Sequence, residues 1–194
     1  MLVFARAPVP GQAKTRLIPA LGAVDAARLH AGMVLQSLAT LASAAADTQI
    51  WCSPDTSDPF FGACRSLHTV SLHAQPEGDL GQRMAFALGH ALQRYRWAII
   101  VGCDCPALTA ADIEQATQAL QAGKDWVLGP ATDGGYYLIA TGTTNPRVFD
   151  AIAWGSSSVM QQTRERLELL GLRWAELAMK ADVDTAQDLL SFAD

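Results

Sequence analysis

Hydrophobic positions along this chain fall into short continuous runs alternating with longer stretches of helical period. Leu2-Val3-Phe4-Ala5 is an apolar run of strand length, and Arg6-Ala7-Pro8-Val9-Pro10-Gly11 after it carries the prolines and glycine of a loop. From about Val24 to Ala46, Leu29, Met33, Leu35, Leu38 and Leu41 recur at near-helical spacing in an Ala-rich background, which predicts a long helix. Gln49-Ile50-Trp51-Cys52 and Val70-Ser71-Leu72-His73 read as strands, with a turn cluster from Ser53 and a short helix at Phe60-Phe61 between them. Met84, Leu88, Ala91, Leu92 and Tyr95 mark the next amphipathic helix.

Trp97-Ala98-Ile99-Ile100-Val101 has no polar alternation, as expected of a strand covered on both faces, and is placed at the sheet centre. Thr109 with Asp112 nearly matches a capping box, opening a helix that buries Ile113, Ala116 and Leu120. Strands follow at Trp126-Val127-Leu128-Gly129 and Tyr136-Tyr137-Leu138-Ile139, then a helix from about Ser157 to Leu170, a strand near Trp174 to Met179 and a short helix after Thr185. This alternation predicts an α/β fold, a three-layer α/β/α sandwich around a mostly parallel sheet.

The 194 residues, half of them hydrophobic, suit one domain over 1–194. With 17% charged residues and a net charge of −5, there is no positive field to hold a nucleic-acid backbone or an anionic bilayer, so no nucleic-acid and no membrane partner is expected. The most apolar stretch, Ala31 to Ala46, is interrupted by Gln36, Ser37 and Ser43 and falls short of the ~20 residues of a spanning helix. Met1 to Ala5 is too short for a signal-peptide core, which makes the compartment cytoplasmic; Met1 stands almost inside the first strand, leaving room for a start a few residues upstream. Cys52, Cys64, Cys103 and Cys105 lack zinc-site spacing, and Cys103 and Cys105, flanking Asp104 at a strand end, read as small, reduced, partly buried fillers. The sequence is silent on oligomeric state.

Ligands of open α/β sheets bind beyond the carboxyl ends of the strands, so the segments after each strand are the candidates. After the first comes Pro10-Gly11-Gln12-Ala13-Lys14-Thr15-Arg16-Leu17, whose cations Lys14 and Arg16 suit a di- or triphosphate; Ala13 before the lysine excludes a Walker loop. Gln75 to Met84 offers Gly78 and Gly81, where a flat ring could approach the backbone, and equally reads as a turn with Asp79 as helix cap. Asp104, just past the central strand and before Pro106, suits Mg²⁺ or Mn²⁺, with Thr109 already serving the next helix end. Asp182 and Asp184, at period two, point to one side of an extended segment, and one of them could supply a second oxygen ligand; Asp184 as a helix cap is the competing reading. A phosphatase D-x-D-x-T reading fails because Thr185 comes one place early. Asp133, before Gly134-Gly135, is either an acceptor-orienting carboxylate or part of a tight turn. His30, His68, His73 and His90 show no ligand spacing, and Ser156-Ser157-Ser158 lack a nucleophile-elbow context and suit a helix cap.

Together, F-A-R-A-P-V-P-G-Q-A-K-T-R-L, G-D-L-G-Q-R-M, G-C-D-C-P-A-L-T, G-P-A-T-D-G-G-Y-Y-L-I, W-G-S-S-S-V and D-V-D-T-A-Q-D-L resemble a glycosyltransferase-like family labelled arsenosugar-biosynthesis or selenium-domain-associated transferases. More remotely the chain is similar to molybdenum-cofactor guanylyltransferase and 2-phospho-lactate guanylyltransferase. The resemblance implies a nucleotide-diphospho-sugar transferase fold (GT-A, Rossmann-like), with Ala5, Gly11, Lys14, Arg16, Gln75, Gly78 and Arg83 around a nucleotide. Gly11, Lys14 and Arg16 would meet the phosphates, and Gln75 and Gly78 the base. Asp104 and Asp184 would hold Mg²⁺ or Mn²⁺, with Asp182 a further candidate, and Lys14, Arg16 and Asp133 would serve catalysis. The implied ligands are a nucleotide sugar or nucleoside triphosphate and a small-molecule acceptor. The D-x-D usual in glycosyltransferases of this fold is here Asp104-Cys105-Pro106, with one carboxylate, which is closer to nucleotidyltransferases. Glycosyl transfer is the leading expectation, nucleotidyl transfer the alternative, and a non-catalytic nucleotide-binding domain a third.

Overall fold

The computed structural model describes residues 1–44 and 46–192. In chain order the elements are β1 (Leu2–Arg6), a 3-10 turn (Thr15–Leu17), α1 (Ile18–Leu21), α2 (Ala23–Ala42), β2 (Thr48–Ser53), α3 (Pro59–Leu67), β3 (Val70–Ala74) and α4 (Leu80–Leu92). Then come β4 (Ala98–Gly102), α5 (Ala110–Gln121), β5 (Trp126–Pro130), β6 (Tyr136–Thr141), a 3-10 turn (Pro146–Phe149), α6 (Val159–Leu169), β7 (Trp174–Glu176) and α7 (Ala186–Phe192). The long helix stops at Ala42, short of the expected Ala46; Ala45 lies outside the described residues.

All seven strands join one sheet in the order β3-β2-β1-β4-β6-β5-β7, so the apolar run ending at Val101 does lie at its centre. Every pairing is parallel except those of β6, which runs antiparallel to both β4 and β5. The sheet is mixed and mostly parallel, as expected.

Residues at period two feed the two faces. Val3, Ala5, Ile99 and Val101 pack with Val34, Leu38 and Leu41 of α2, Phe61 and Cys64 of α3, and Ile113, Ala116 and Leu120 of α5. Leu2, Ala98 and Ile100 pack the other way, with Met84, Ala87, Leu88 and Ala91 of α4 and Met160 and Leu167 of α6. Two cores separated by the sheet are what a strand buried on both faces requires. All four cysteines are free and buried. Among the described residues no helix is long and apolar enough to cross a membrane.

The helix starts are set locally. Asp79 and Gln82 form a full capping box for α4, and Thr109 and Asp112 form one for α5. Strand β7 ends at Glu176, earlier than the expected Met179; on the facing strand Pro130 has no N–H to extend the ladder. The chain nevertheless stays beside β5: Leu177 donates its N–H to the Leu128 carbonyl at 2.9 Å, and Lys180 to the Pro130 carbonyl at 3.0 Å. That course delivers residues 182–184 to the end of β4.

Candidate active site

A cleft of about 720 Å³ opens at the carboxyl edge of the central strands. One rim is the end of β1 with the Gln12–Arg16 loop; the floor is Gly102–Cys105 after β4; the other rim is the Asp133–Tyr137 turn with Trp154–Ser157.

Lys14 sits at the centre. Its Nζ lies 2.6 Å from Asp104 Oδ1 and 2.6 Å from Asp184 Oδ1, and it donates to the Val183 carbonyl at 2.7 Å. Three acceptors use all three N–H bonds of an ammonium. The Lys14 side chain is only 5% exposed, so water does not replace these partners. Burial alone would lower the lysine pKa, but Asp104 and Asp184 outweigh it and hold the ammonium above its ordinary value. Its backbone is left-handed, at φ 47 and ψ 47, uncommon for a residue with a side chain.

The carboxylates come together through the backbone. Val183 donates its N–H to the Asp104 carbonyl at 2.8 Å and is itself buried at 2%, which leaves Asp182 and Asp184 facing the cleft on either side of it. Asp184 does not cap α7. Thr185 and Asp188 do so, the Asp188 carboxylate accepting the Thr185 N–H at 2.7 Å and the Thr185 hydroxyl accepting the Asp188 N–H at 3.4 Å. Burial pushes the Asp182 carboxyl up to about 7, reinforced by the charges of Asp133, Asp104 and Asp184 and opposed by Lys14.

Carboxylates from two separate segments thus share one cationic position, now filled by an ammonium, which acts as a stand-in for an ion. Among the described residues no three carboxylate, His or Cys groups stand close enough to hold a metal alone. Two carboxylates still fit Mg²⁺ or Mn²⁺, which commonly complete their shells with phosphate and water.

The remaining expected residues divide. Ala5, Gln75, Arg83 and Asp133 line the cleft, as does Arg16, which is 71% exposed and 3.9 Å from Asp184 Oδ2. Gln75 is fixed by donating its side-chain amide to the Trp51 carbonyl at 2.8 Å, and Arg83 by donating Nε to the Gly78 carbonyl at 2.9 Å. Gly11 and Gly78, expected at the phosphates and the base, are not among the lining residues. Gly11 lies on the exposed outer bend of its loop. Gly78 has φ +116, and a side chain there would collide with Gln82 of the α4 capping box, so the turn itself accounts for this glycine.

Asp133 Oδ1 accepts the Gly135 N–H at 2.8 Å, which turns the chain between β5 and β6. The turn reading of Asp133 is thus met by this bond, at a residue that also lines the cleft.

Sequence reasoning passed over three lining groups. His30 Nε2 lies 2.9 Å from the Arg6 carbonyl and carries the proton there, since a carbonyl only accepts; Nδ1 is buried without a partner. The ring is thus only half satisfied, and burial lowers its pKa. Trp154 stacks edge-on to Tyr136 and packs against Gly81, while Ser156 and Ser157 border the cleft. Ser158 stands at the cap position just before α6 but makes no capping bond; its hydroxyl lies 2.7 Å from that of Ser156 instead. The W-G-S-S-S-V motif was the only signal for this rim.

Residues 35–156 match the model of the DUF2064 family, described as uncharacterized proteins conserved in bacteria. No curated protein matches the sequence significantly. Among solved structures, a provisionally named nucleotide-diphospho-sugar transferase from Desulfovibrio desulfuricans G20 is 35% identical, with TM-score 0.91 over 98% of this chain and 84% of that one. A CMP:2-keto-3-deoxy-manno-octonic acid synthetase in complex with CTP is 14% identical, with TM-score 0.57 over 98% and 95% of the chains. Glucosyl-3-phosphoglycerate synthase from Mycobacterium tuberculosis, bound to Mn²⁺, UDP and phosphoglyceric acid, is 11% identical, with TM-score 0.55 over 98% and 72%. The fold is that of the nucleotide-diphospho-sugar transferases.

Proposed function

The chain belongs to the DUF2064 family, and we propose that it is a metal-dependent transferase that passes a glycosyl group from a nucleotide sugar to a small-molecule acceptor. The coarser class, a transferase that uses an activated nucleotide, is the one in which its 35%-identical relative is provisionally placed. One observation carries the finer reading: Asp104 and Asp184 converge on a single cationic position at the floor of the cleft. The neighbours bound to CTP and to Mn²⁺ with UDP favour a nucleotide and a divalent ion in such a cleft.

In this reading Asp104 and Asp184 hold Mg²⁺ or Mn²⁺, with Asp182 beside them. The ion would neutralise the pyrophosphate of the donor. Arg16, exposed at the rim, meets the phosphates, and Gln75 and Arg83 border the base. Asp133 takes the hydroxyl proton of the acceptor as its oxygen attacks the anomeric carbon; the bond from that carbon to the phosphate oxygen breaks, and a nucleoside diphosphate leaves. The acceptor lies against Trp154 and Ser157. Neither the family description nor the neighbours' names carry the arsenosugar or selenium association that the motifs resemble, so the acceptor is proposed only as a small molecule. A single domain acting in the cytoplasm completes the proposal.

Nucleotidyl transfer is the second reading, favoured by one observation: Cys105 is buried at 2%, so the loop after β4 offers the cleft a single carboxylate. There the acceptor oxygen attacks the α-phosphorus of a triphosphate, and pyrophosphate leaves. Thermal-shift screening with Mn²⁺ separates the cases, because a ligand at 100 times its Kd stabilises by ~2.7 kcal/mol. A shift with a UDP- or GDP-sugar, followed by release of UDP or GDP on turnover, supports glycosyl transfer. A shift with one triphosphate and release of pyrophosphate supports the second reading. Affinity for nucleotide that ignores a chelator, without turnover, points to a non-catalytic binding domain.

A further inference from the structure

The ammonium of Lys14 occupies the position between Asp104 and Asp184 that the proposed function gives to a divalent cation. Both cannot be there together: the carboxylate oxygens at 2.6 Å are the ones an ion would take, and two cations a few ångströms apart repel. Resting on the metal reading above, we propose that Lys14 is a tethered counter-ion that holds the divalent-cation position in the free protein and yields it when the nucleotide arrives.

Three observations support this role. The Lys14 ammonium has no spare N–H bond for a phosphate, so a lysine that meets the nucleotide must first leave at least one present partner. The loop around it is anchored by Ala13, 2% exposed, and Leu17, fully buried, so the backbone can stay in place while the flexible side chain turns. The left-handed backbone at Lys14 carries a conformational cost that its contacts to two carboxylates and a carbonyl offset.

The exchange makes binding ordered. Free Mg²⁺ or Mn²⁺ must displace a paired ammonium that has nowhere to go. When the cation comes with a nucleotide, the phosphates receive the displaced ammonium, so the same lysine neutralises carboxylates in the free protein and phosphate oxygens in the complex. The site thereby discriminates against metal alone.

The test is Mn²⁺ binding to the whole chain without nucleotide, followed by the electron paramagnetic resonance signal of free Mn²⁺ and by calorimetry. Lys14→Met should bind Mn²⁺ about tenfold or more tightly than the unsubstituted protein, and Lys14→Arg, which keeps the charge, should not. If Lys14→Met unfolds, Lys14→Gly replaces it, since glycine takes a left-handed backbone without strain. Mn²⁺ is also titrated with UDP, GDP, CDP and ADP in turn. Should Mn²⁺ bind the unsubstituted protein with one of these, while the charge-removing variants bind free Mn²⁺ no better than it does, the counter-ion role is overturned and the metal reading stands. Should Mn²⁺ bind neither protein under any of these conditions, the metal reading itself fails and takes the counter-ion role with it.

Discussion

Val183 donates its backbone N–H to the carbonyl of Asp104 at 2.8 Å, lacing the segment before α7 to the loop after the central strand. This bond lets one buried residue place carboxylates on either side of itself, and it sets Asp184 against the Lys14 ammonium. Replacing either carboxylate therefore acts on the cleft before it acts on the fold. Asp104→Ala is expected to lower kcat/KM by about 10²-fold or more, in the range found for loss of one preorganised electrostatic group. The circular dichroism spectrum should be unchanged, and full activity in this variant would sink the metal assignment.

Arg16 is 71% exposed and 3.9 Å from Asp184, so it contributes little to stability. Arg16→Gln should leave the melting temperature within error while weakening nucleotide binding, with KM for the donor rising about tenfold. Equal KM values in the two proteins would remove Arg16 from the phosphate site.

The fold was legible because its signals are local. Val3 and Val101 face one core and Leu2 and Ile100 the other, and continuous apolar runs such as these announce a sheet buried on both faces. Asp104 and Asp133 could be singled out because each follows a strand end, and Asp184 because it pairs with Asp182 at period two. Their meeting point could not, since the Lys14–Asp184 contact spans 170 residues and depends on β6 and β5 being inserted between β4 and β7. His30 was missed because it lies on a helix among apolar residues, where a histidine usually finds partners. Gly78 was given a ligand role that its turn geometry accounts for without one.

Gly134 has φ +89, and its carbonyl accepts the Met160 N–H at 2.8 Å, fastening the Asp133 turn to the start of α6. An added Cβ would collide with the Ser157 backbone. Gly134→Ala should cost about 1–3 kcal/mol for the backbone conformation alone, and more for the collision. Because Asp133 and Ser157 move together, kcat should fall while the nucleotide dissociation constant holds. Loss of nucleotide binding in a folded Gly134→Ala protein would show that this rim does not serve the acceptor.

Lys180 ties the same C-terminal segment to α5, with Nζ 3.0 Å from Asp112 Oδ2 and donating to the Ala107 carbonyl at 2.8 Å. Burial alone would raise the Asp112 carboxyl, but hydrogen bonds from Thr109 and Lys180 outweigh it and hold the group below the ordinary carboxylate range. A carboxyl lowered on folding stabilises the protein above its unfolded pKa of about 4, and that contribution is lost as the pH falls through the lower folded value. Lys180→Met strands a buried carboxylate and should cost about 3 kcal/mol at pH 7. Without the ammonium the Asp112 carboxyl protonates at higher pH in the variant than in the unsubstituted protein, which relieves the stranded charge, so the gap between their urea midpoints should narrow as the pH falls toward 3. Because Lys180 lies on the segment that carries Asp182 and Asp184 into the cleft, the variant should also weaken Mn²⁺ binding in the presence of nucleotide. A gap that stays constant from pH 7 to pH 3 would show that the pair does not control acid stability.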